Sequence, residues 1–309
     1  MTSVKQEYED YLALAETAGE DVSISNVIFD ENSNHSQPRP SHDLGIDAIY
    51  TVQHQFGLGW LVSLIKKEPE AFPHRGEPGK FTCIDVGSQI EFVANMATFT
   101  NFVIVDPSLN LPEEGVSLPD LGIALNAKEG QDLSFLESSS MCVISSFHAI
   151  EHFGLGRYGD TLDPTGDVSA MREFNRVLVN GGFFMGSVPI TLSGYERVEF
   201  NKQRVYSVKR IQEMLRDAGF DVVKSVCAVS TELIQKTLKN YGGHREFTFP
   251  ASVVTPQDYE DSMRQFVDTD GDIFIEKNGA GHAAYIFLAQ KQSATTSPDI
   301  DELNSHMAF

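Results

Sequence analysis

The segment His148-Ala149-Ile150-Glu151-His152 carries two imidazoles and a carboxylate, which are side chains suited to acid–base chemistry. An imidazole exchanges a proton near neutral pH, and a nearby carboxylate can orient the ring and stabilise its cation. His148 or His152 is therefore predicted as a catalytic base, with Glu151 as the group that orients it. Two alternatives stay open: Glu151 and His152 bind a divalent metal, or the histidines only hydrogen-bond the loop.

Two familiar motifs in this region are rejected on their surroundings. The HxxEH spacing of residues 148–152 matches a zinc-peptidase pattern, but the glycines that follow interrupt the helix that such a site needs. The GxGxxG spacing of residues 154–159 comes after a late strand, and no helix with a suitably spaced acid begins there. Its glycines are expected to fold a tight loop that presents Arg157 and Tyr158.

The elements around these residues follow the order of one βαβ unit. Met141 to Ile144 is an apolar run typical of a buried strand, and Met171 to Leu178 has helical periodicity. Asn180-Gly181-Gly182 is expected to end that helix before a second strand, Phe183 to Val188. Ligands of open α/β sheets bind just beyond the carboxyl ends of the strands, so the loop between these two strands is the expected site.

The same alternation of strands and helices extends along the chain, which predicts a doubly wound α/β sheet. The further predicted strands are Thr82 to Val86, Phe102 to Val105, Leu121 to Leu125 and Phe220 to Val229, followed by a hairpin of Asp272 to Glu276 and Ala283 to Gln290. The further predicted helices are Thr51 to Lys67, Ile90 to Ala97, Val208 to Ala218 and the less regular Thr231 to Leu238.

A nucleoside site is indicated where the first two strands of this series end. Asp85-Val86-Gly87-Ser88 ends the first strand, and Asp106 follows the second. A glycine lets the backbone approach a ligand at a helix amino terminus, and an acid ~20 residues later can accept hydrogen bonds from both ribose hydroxyls. A generic strand–turn–helix is the alternative, because the full GxGxxG spacing is absent here.

Composition excludes several classes of partner. The 309 residues include 44 acidic and 23 basic side chains, giving a formal net charge of −21. Such a chain is not expected to bind nucleic acid or an anionic membrane, because those partners require basic groups that replace phosphate counterions. The three cysteines form no CxxC pair, and no apolar stretch reaches the ~20 residues needed to cross a bilayer. A reducing, cytoplasmic location is expected.

Three regions are predicted along the chain. Residues 1–44 are expected to form an N-terminal helix, Met1 to Ala18, followed by a mobile polar arm. Residues 45–291 are expected to form the α/β domain. Residues 292–309 are polar and are expected to be a disordered tail.

Several motifs of the chain together resemble those of a known protein family. Asp85-Val86-Gly87-Ser88, Val105-Asp106, Leu133-Ser134-Phe135, Ser145 to His152 and Arg176 to Gly182 together resemble the class I S-adenosylmethionine-dependent methyltransferases. The run Glu151 to Asp160, with Asp163-Pro164, Gly166-Asp167, Arg197 to Asn201 and Arg204-Val205-Tyr206, is similar to a methyltransferase-like group, domain of unknown function 268. The resemblance covers roughly Gly45 to Val229.

The resemblance implies a Rossmann-like, seven-stranded, mostly parallel sheet with helices on both faces and an N-terminal helical extension. S-adenosylmethionine is implied as the cofactor, across the ends of the first two strands. The implied contacts are Asp85, Gly87 and Ser88 with the methionine part, Asp106 with the ribose, Glu129 near the adenine, and Ser146 beside them. The placement of residues 148–152 is also similar to a segment that holds a divalent cation in some quinone O-methyltransferases.

The implied activity is methyl transfer to a hydroxyl group of a small molecule. A hydroxyl is a poor nucleophile, so a base or a metal must take its proton. A mixed set of donors and acceptors is expected to line the acceptor pocket and favours a saccharide or another polyhydroxylated molecule: Arg157, Tyr158, Asp160, Asp163, Asn201, Arg204 and Tyr206. The alternatives are an inactive scaffold that kept the fold, and an enzyme that uses the same cofactor without methylating.

Overall fold

The computed structural model describes residues 3–29, 48–72, 82–106, 116–118, 122–125, 132–191, 194–230, 253–263 and 283–293. Its helices are α1 (Val4–Ala18), α2 (Ala48–Lys67), α3 (Ile90–Met96), α4 (Gly166–Val177), α5 (Val208–Asp217) and α6 (Pro256–Met263). Its strands are β1 (Val27–Ile28), β2 (Cys83–Val86), β3 (Phe102–Val105), β4 (Val116–Leu118), β5 (Gly122–Leu125), β6 (Met141–Phe147), β7 (Leu178–Pro189), β8 (Arg197–Glu199), β9 (Gln203–Val205), β10 (Phe220–Val229), β11 (Val253–Val254) and β12 (Ala283–Lys291). Short 3₁₀ turns cover Gly19–Asp21, Pro69–Ala71 and Ile150–His152.

The central sheet has the strand order β11-β10-β12-β7-β6-β2-β3-β5-β4. Strands β5, β3, β2, β6 and β7 run parallel, whereas β12 is antiparallel to both β7 and β10. Short strands β4 and β11 extend the two edges and leave seven principal strands, so the predicted Rossmann-like sheet is confirmed. The chain reverses its direction of progress between β2 and β6, which places a topological switch point at their carboxyl ends.

Both faces of the sheet are covered. One apolar cluster packs residues of α1, α4 and α5 against the sheet, including Tyr11, Phe174 and Ile211. The other packs α2 and α3 against the opposite face, including Trp60 and Phe92. Buried strands between two helical layers explain why the strands are continuous apolar runs.

More of the N-terminal segment packs against the α/β domain than the sequence predicted. Residues 19–29 were predicted to belong to the mobile arm, but Ile24 is buried and β1 pairs in parallel with β8. Strands β1, β8 and β9 form a small second sheet beside the loop that follows β6. That part of the prediction is wrong, because local polarity does not reveal pairing with a strand about 170 residues later. The rest of the predicted arm and the predicted tail lie outside the described residues.

Two further predictions need correction or lie beyond the structure. Asn180-Gly181-Gly182 does not separate a helix from a strand: α4 ends at Val177, and β7 runs through the glycines. Gly181 has a φ of +75°, and the β6–β7 register shifts nearby, so glycine here serves a strand irregularity. Strand β12 is found where predicted, whereas its expected hairpin partner and Thr231 to Leu238 lie outside the described residues.

Candidate functional site

The candidate site lies at the switch point, where β2, β3 and β6 end. Strand β6 runs to Phe147, and the 3₁₀ turn Ile150–His152 follows it immediately. A small cavity opens there, lined by Gly87, Asp106, His148, Ala149, His152, Phe153 and Tyr158. Residues predicted to contact a cofactor and residues predicted to act on an acceptor therefore line one cavity.

Gly87 lines one side of the cavity. Its φ is +73°, and its backbone N–H donates to the Val105 carbonyl at 2.8 Å, which ties the turn after β2 to β3. A Cβ added at this position would lie 2.9 Å from Cβ of Ala149. Only glycine fits both the conformation and the space. The predicted approach of this backbone to a ligand stays a prediction.

Three other residues predicted to contact the cofactor, Asp85, Ser88 and Ser146, make hydrogen bonds within the protein. The buried Asp85 carboxylate accepts hydrogen bonds from the Ser145 hydroxyl and from the Ser88 backbone N–H. The Ser146 hydroxyl donates to the Val86 carbonyl, and the Ser88 hydroxyl accepts from the Phe147 backbone N–H. These bonds fasten β2 to β6. Predicted contact Glu129 lies outside the described residues.

Burial has a large effect on the pKa of the Asp85 carboxyl. It raises the pKa of Asp85 to about 7, although the hydrogen bonds from Ser145 and Ser88 act in the opposite direction. The charge of the Asp85 carboxyl therefore changes near neutral pH.

His148 is held in an unusual backbone conformation. Its φ is +50°, and its backbone N–H donates to the Ser187 carbonyl of β7 at 2.9 Å. Its Nδ1 lies 3.1 Å from Oε1 of Glu151. A carboxylate only accepts, so Nδ1 carries the hydrogen and Nε2 of the neutral ring keeps a lone pair. That Nε2 is buried and has no hydrogen-bond partner among the described residues.

His152 is fixed by a different acceptor. Its Nδ1 bonds the backbone carbonyl of Lys202, so Nδ1 must be the donor. Burial lowers the pKa of His152 to about 4, despite the nearby Glu151. The ring is therefore neutral at neutral pH, with a lone pair on Nε2, 3.7 Å from Oε1 of Glu151.

Glu151 links the two rings. It is 1% exposed, and its Oε2 has no hydrogen-bond partner among the described residues. Burial alone would raise the pKa of Glu151, but His152 and the hydrogen bond from His148 outweigh it and hold the pKa below its ordinary value. The bond from His148 is the contribution that persists at neutral pH, because His152 is uncharged there. Glu151 is therefore positioned to orient the ring of His148.

The alternative of a divalent metal finds no support in this arrangement. In the described part of the chain, no group of three or more His, Cys, Asp or Glu side chains is placed to hold a metal ion. Nδ1 of His148 and Nδ1 of His152 are both occupied by hydrogen bonds.

The loop after the turn brings one predicted acceptor residue directly to the cavity. Tyr158 lines the cavity, and its ring contacts that of His152 edge-on at 5.9 Å. Arg157 lies 5.4 Å over the Tyr158 ring and donates to the Lys202 carbonyl at 2.9 Å. Asp160 is turned inward: its carboxylate accepts from the backbone N–H groups of Gly154, Gly156 and Tyr158, and so shapes the loop.

Four more predicted acceptor residues lie beneath the loop or beside it. Arg204 is fully buried and donates to the carbonyls of Phe153, Asp163 and Pro164. The Asp163 carboxylate accepts from Thr165, and the Tyr206 hydroxyl donates to Asp167. Asn201 has a φ of +56° in the turn between β8 and β9. The structure does not bring Asp163, Arg204 or Tyr206 to the cavity; their hydrogen bonds hold the loop.

Sequence analysis missed two contributions to the site. The Lys202 carbonyl binds both His152 and Arg157, and a backbone carbonyl has no signature in the sequence. Helix α2 brings Tyr50, whose ring lies 5.3 Å from that of His148, and Gln53, which is bonded to Ser187. Gln53 and His54, polar residues within the predicted helix Thr51 to Lys67, were the available signal for this face, and Tyr50 lay outside the predicted helix.

The chain matches one family model. Residues 134–253 match the family described as "Caenorhabditis protein of unknown function, DUF268", which confirms the predicted family over that segment. The chain has no match among curated proteins.

Several solved structures resemble the chain. The cyclase SpnF aligns at 13% identity over 76% of this chain and 82% of its own, with a TM-score of 0.42. Burkholderia thailandensis 1,6-didemethyltoxoflavin-N1-methyltransferase aligns at 13% over 80% and 87%, with a TM-score of 0.41. A Thermotoga maritima SAM-dependent methyltransferase aligns at 14% over 79% and 93%, with a TM-score of 0.38.

None of the helices in the described ranges has the length and apolar character to span a membrane.

Proposed function

We propose that this chain, whose residues 134–253 belong to the DUF268 family, is an S-adenosylmethionine-dependent O-methyltransferase of a saccharide or another polyhydroxylated small molecule. One observation carries the proposal. Gly87 and Asp106, at the ends of β2 and β3, line the same cavity as His148, His152 and Tyr158. A methyl transferase needs its cofactor and its base to meet in one space, and this cavity joins the two sets of residues.

The residues on the cofactor side fit the proposed ligand. Gly87 leaves open a space that a Cβ would fill, facing Ala149. Asp106 follows β3 and provides a carboxylate in the same cavity, suited to accept hydrogen bonds from the two ribose hydroxyls. When bound there, S-adenosylmethionine would supply an electrophilic methyl group, and S-adenosylhomocysteine would be the leaving group.

The acceptor side supplies the base. His148 directs the lone pair of Nε2 away from Glu151, because Nδ1–H donates to that carboxylate. The acceptor hydroxyl transfers its proton to this Nε2, and the Glu151 carboxylate stabilises the resulting imidazolium. His152 is neutral and anchored to Lys202, so it provides a second wall of the pocket and a further acceptor for a hydroxyl.

A polar acceptor agrees with the groups that surround the cavity. The lining residues His148, His152 and Tyr158, with the nearby Arg157 guanidinium, carry both acceptors and donors. A polyhydroxylated molecule satisfies both kinds, whereas an apolar acceptor would leave these groups without hydrogen-bond partners, at a cost of ~1–3 kcal/mol each.

The three cysteines are free thiols, which supports a reducing compartment such as the cytoplasm as the location.

Two measurements test this function. Calorimetry should detect binding of S-adenosylhomocysteine, and Asp106→Ala should weaken it at least about tenfold through lost charge-assisted hydrogen bonds. Label from methyl-labelled S-adenosylmethionine should appear on a sugar or nucleotide sugar in a panel that also contains phenols and small amines. Label only on phenols or amines would exclude the saccharide acceptor. No cofactor binding and no label would favour a scaffold.

A further inference from the structure

The N-terminal segment, residues 3–29, lies before the residues that match the family model and takes no part in the proposed mechanism. Its aromatic side chains pack on Phe200, which is 1% exposed and begins the turn between β8 and β9. The rings of Tyr8, Tyr11 and Phe29 lie 5.5, 5.3 and 6.2 Å from that ring, measured between centroids. Tyr8 also stacks on Phe29 at 4.8 Å, so the rings form one cluster around Phe200.

Main-chain hydrogen bonds fix the same turn. Strand β1 pairs in parallel with β8, and the backbone N–H of Val198 donates to the Asn26 carbonyl at 2.7 Å. The backbone N–H of Phe200 donates to the Ile28 carbonyl at 2.9 Å. The N-terminal segment therefore holds Phe200 through both its ring and its backbone, at the point where the chain leaves β8.

The turn presents the Lys202 carbonyl to the site. This carbonyl accepts from Nδ1 of His152, and from the Arg157 guanidinium at 2.9 Å. His152 lines the cavity, and so does Tyr158, whose ring lies under that guanidinium. A neutral imidazole carries one hydrogen and a carbonyl only accepts, so the position of the Lys202 carbonyl decides which nitrogen of His152 carries the hydrogen. If the carbonyl moves away, the hydrogen can shift to Nε2, which then donates instead of accepting.

A second series of contacts leads from the segment to the next residue of the site. The Ser23 hydroxyl donates to the buried Asp167 carboxylate at 2.6 Å. The same carboxylate lies 3.6 Å from Nε of Arg204, and the guanidinium donates to the Phe153 carbonyl. Phe153 lines the cavity and follows His152 in the chain. The segment therefore contacts the supports of two consecutive cavity residues.

We propose that the N-terminal segment positions the acceptor side of the site, and that Tyr8 and Phe29 are its positioning residues. Their rings hold Phe200, which fixes the turn after β8. The turn fixes the Lys202 carbonyl, and that carbonyl keeps His152 as the tautomer with its lone pair on Nε2. The inference rests on the proposed function, because it takes this cavity as the place where the acceptor binds. It deepens that function by making acceptor binding, and not cofactor binding, depend on the N-terminal segment.

The first test observes the ring nitrogens of His152 by NMR in the full-length protein, without ligand and at neutral pH. Wild type should show a protonated Nδ1 and an unprotonated Nε2. Tyr8→Ala removes a ring from the cluster, so both signals should shift towards the average of the two tautomers. Tyr8→Phe keeps the ring and should match wild type. Leu12→Ala is the matched control, because Leu12 is an exposed residue of the same helix.

The fold of the variants is checked by fluorescence. The single tryptophan, Trp60, lies in the apolar cluster on the other face of the sheet, so its emission reports on the domain apart from the N-terminal segment. If Tyr8→Ala unfolds, Phe29→Leu weakens the contact with Phe200 more mildly and decides by the same measurement. Wild-type signals of His152 in a folded Tyr8→Ala or Phe29→Leu protein would overturn the inference.

Binding measurements provide the second test. Methyl α-D-glucopyranoside is titrated in the presence of S-adenosylhomocysteine. It should bind Tyr8→Ala about fivefold more weakly than wild type, because one hydrogen-bond acceptor of His152 is no longer fixed. The affinity for S-adenosylhomocysteine should be the same in both proteins.

The two proposals fail separately. If neither S-adenosylhomocysteine nor the glucopyranoside binds to wild type, the proposed methyl transfer to a saccharide fails, and the His152 signals still decide the positioning role. If label reaches a sugar at the same KM in wild type and in folded Tyr8→Ala, the methyltransferase stands and the positioning role is refuted.

Discussion

Nδ1 of His148 lies 3.1 Å from Oε1 of Glu151, three residues later in the chain and 1% exposed. His148 adopts a φ of +50° directly after β6, just before the 3₁₀ turn Ile150–His152 that carries Glu151. Non-glycine residues rarely adopt this conformation, and they do so where the surrounding structure compensates for the strain. The hydrogen bond from His148 to the Ser187 carbonyl provides part of that compensation.

His148→Asn should abolish most of the activity without unfolding the protein. Asparagine tolerates a positive φ better than other non-glycine residues, so the turn is kept while the base is removed. The kcat with the sugar acceptor from the labelling panel should fall ~10²–10⁴-fold. Binding of S-adenosylhomocysteine, measured by calorimetry, should be unchanged. Glu151→Gln provides the comparison: it can still accept from Nδ1 but does not stabilise the imidazolium, so its loss should be smaller. Full activity in His148→Asn would eliminate His148 as the base.

Gly87→Ala should weaken cofactor binding more than backbone strain alone can explain. The added Cβ would meet Ala149 at 2.9 Å and close part of the cavity. Gly194→Ala is the matched control, because Gly194 has a φ of +82° and an added Cβ there has nothing within 4 Å. Both variants should lose ~1 kcal/mol of stability through the strained backbone. Only Gly87→Ala should reduce S-adenosylhomocysteine affinity in calorimetry; an equal effect of both would contradict this account of the cavity.

Strands β3 (Phe102–Val105) and β10 (Phe220–Val229) have the predicted bounds. Strand β3 is buried at every position, and most residues of β10 are apolar, so hydrophobic runs marked both strands. Short strands β8 and β9 were missed. They contain charged residues in three-residue segments, and they form because β1 and the loop beneath them supply partners from distant parts of the chain.

The site was only partly predictable for the same reason. The residue types suggested that Arg204 and Tyr158 would both face an acceptor, yet Arg204 bonds Phe153, 51 residues away, and only Tyr158 lines the cavity. Whether a polar side chain faces a cavity or the core is decided by such distant partners. Gln53 shows the converse: its polar side chain stands out in the sequence of α2, but its partner Ser187, 134 residues later, does not.

Asp85 should make the protein less stable as pH rises. Its pKa is about 7 in the folded state because of burial, against 3.8 as the ordinary value. Below about pH 4 the carboxyl is protonated in both states, and its stabilising contribution is complete. As pH rises from about 4 to about 7, the unfolded state loses the proton first, so stability falls by up to ~4 kcal/mol.

Asp85→Asn removes this titration and keeps an oxygen for the Ser88 N–H. Urea unfolding at about pH 5 and about pH 8 should show the variant gaining stability relative to wild type at the higher pH. Asp217→Asn, at an exposed position, controls for the loss of one negative charge. If the free energies of unfolding of wild type and Asp85→Asn differ by the same amount at both pH values, Asp85 is not the group responsible for the pH dependence.

Arg204 should affect folding rather than acceptor binding. Its guanidinium is fully buried, lies 3.6 Å from Asp167 and donates to three loop carbonyls. Arg204→Met leaves Asp167 without its cation and the carbonyls without donors, so it should cost ~3–5 kcal/mol in urea unfolding. Tyr206→Phe, which removes the hydroxyl bonded to Asp167, should cost about 1–2 kcal/mol.

Two controls separate this structural role from the acceptor role predicted from the sequence. Arg172→Met removes an ion pair of the exposed Arg172 and Asp21 and should leave the unfolding midpoint unchanged. Arg204→Lys keeps a charge beside Asp167 but cannot donate to all three carbonyls, so its stability should be intermediate. Because the same carbonyls belong to the loop that follows His152, both Arg204 variants should lower kcat as they lower stability. If Arg204→Lys is as stable as wild type and only its KM for the sugar is raised, the structural role is refuted and the predicted acceptor-binding role of Arg204 is supported.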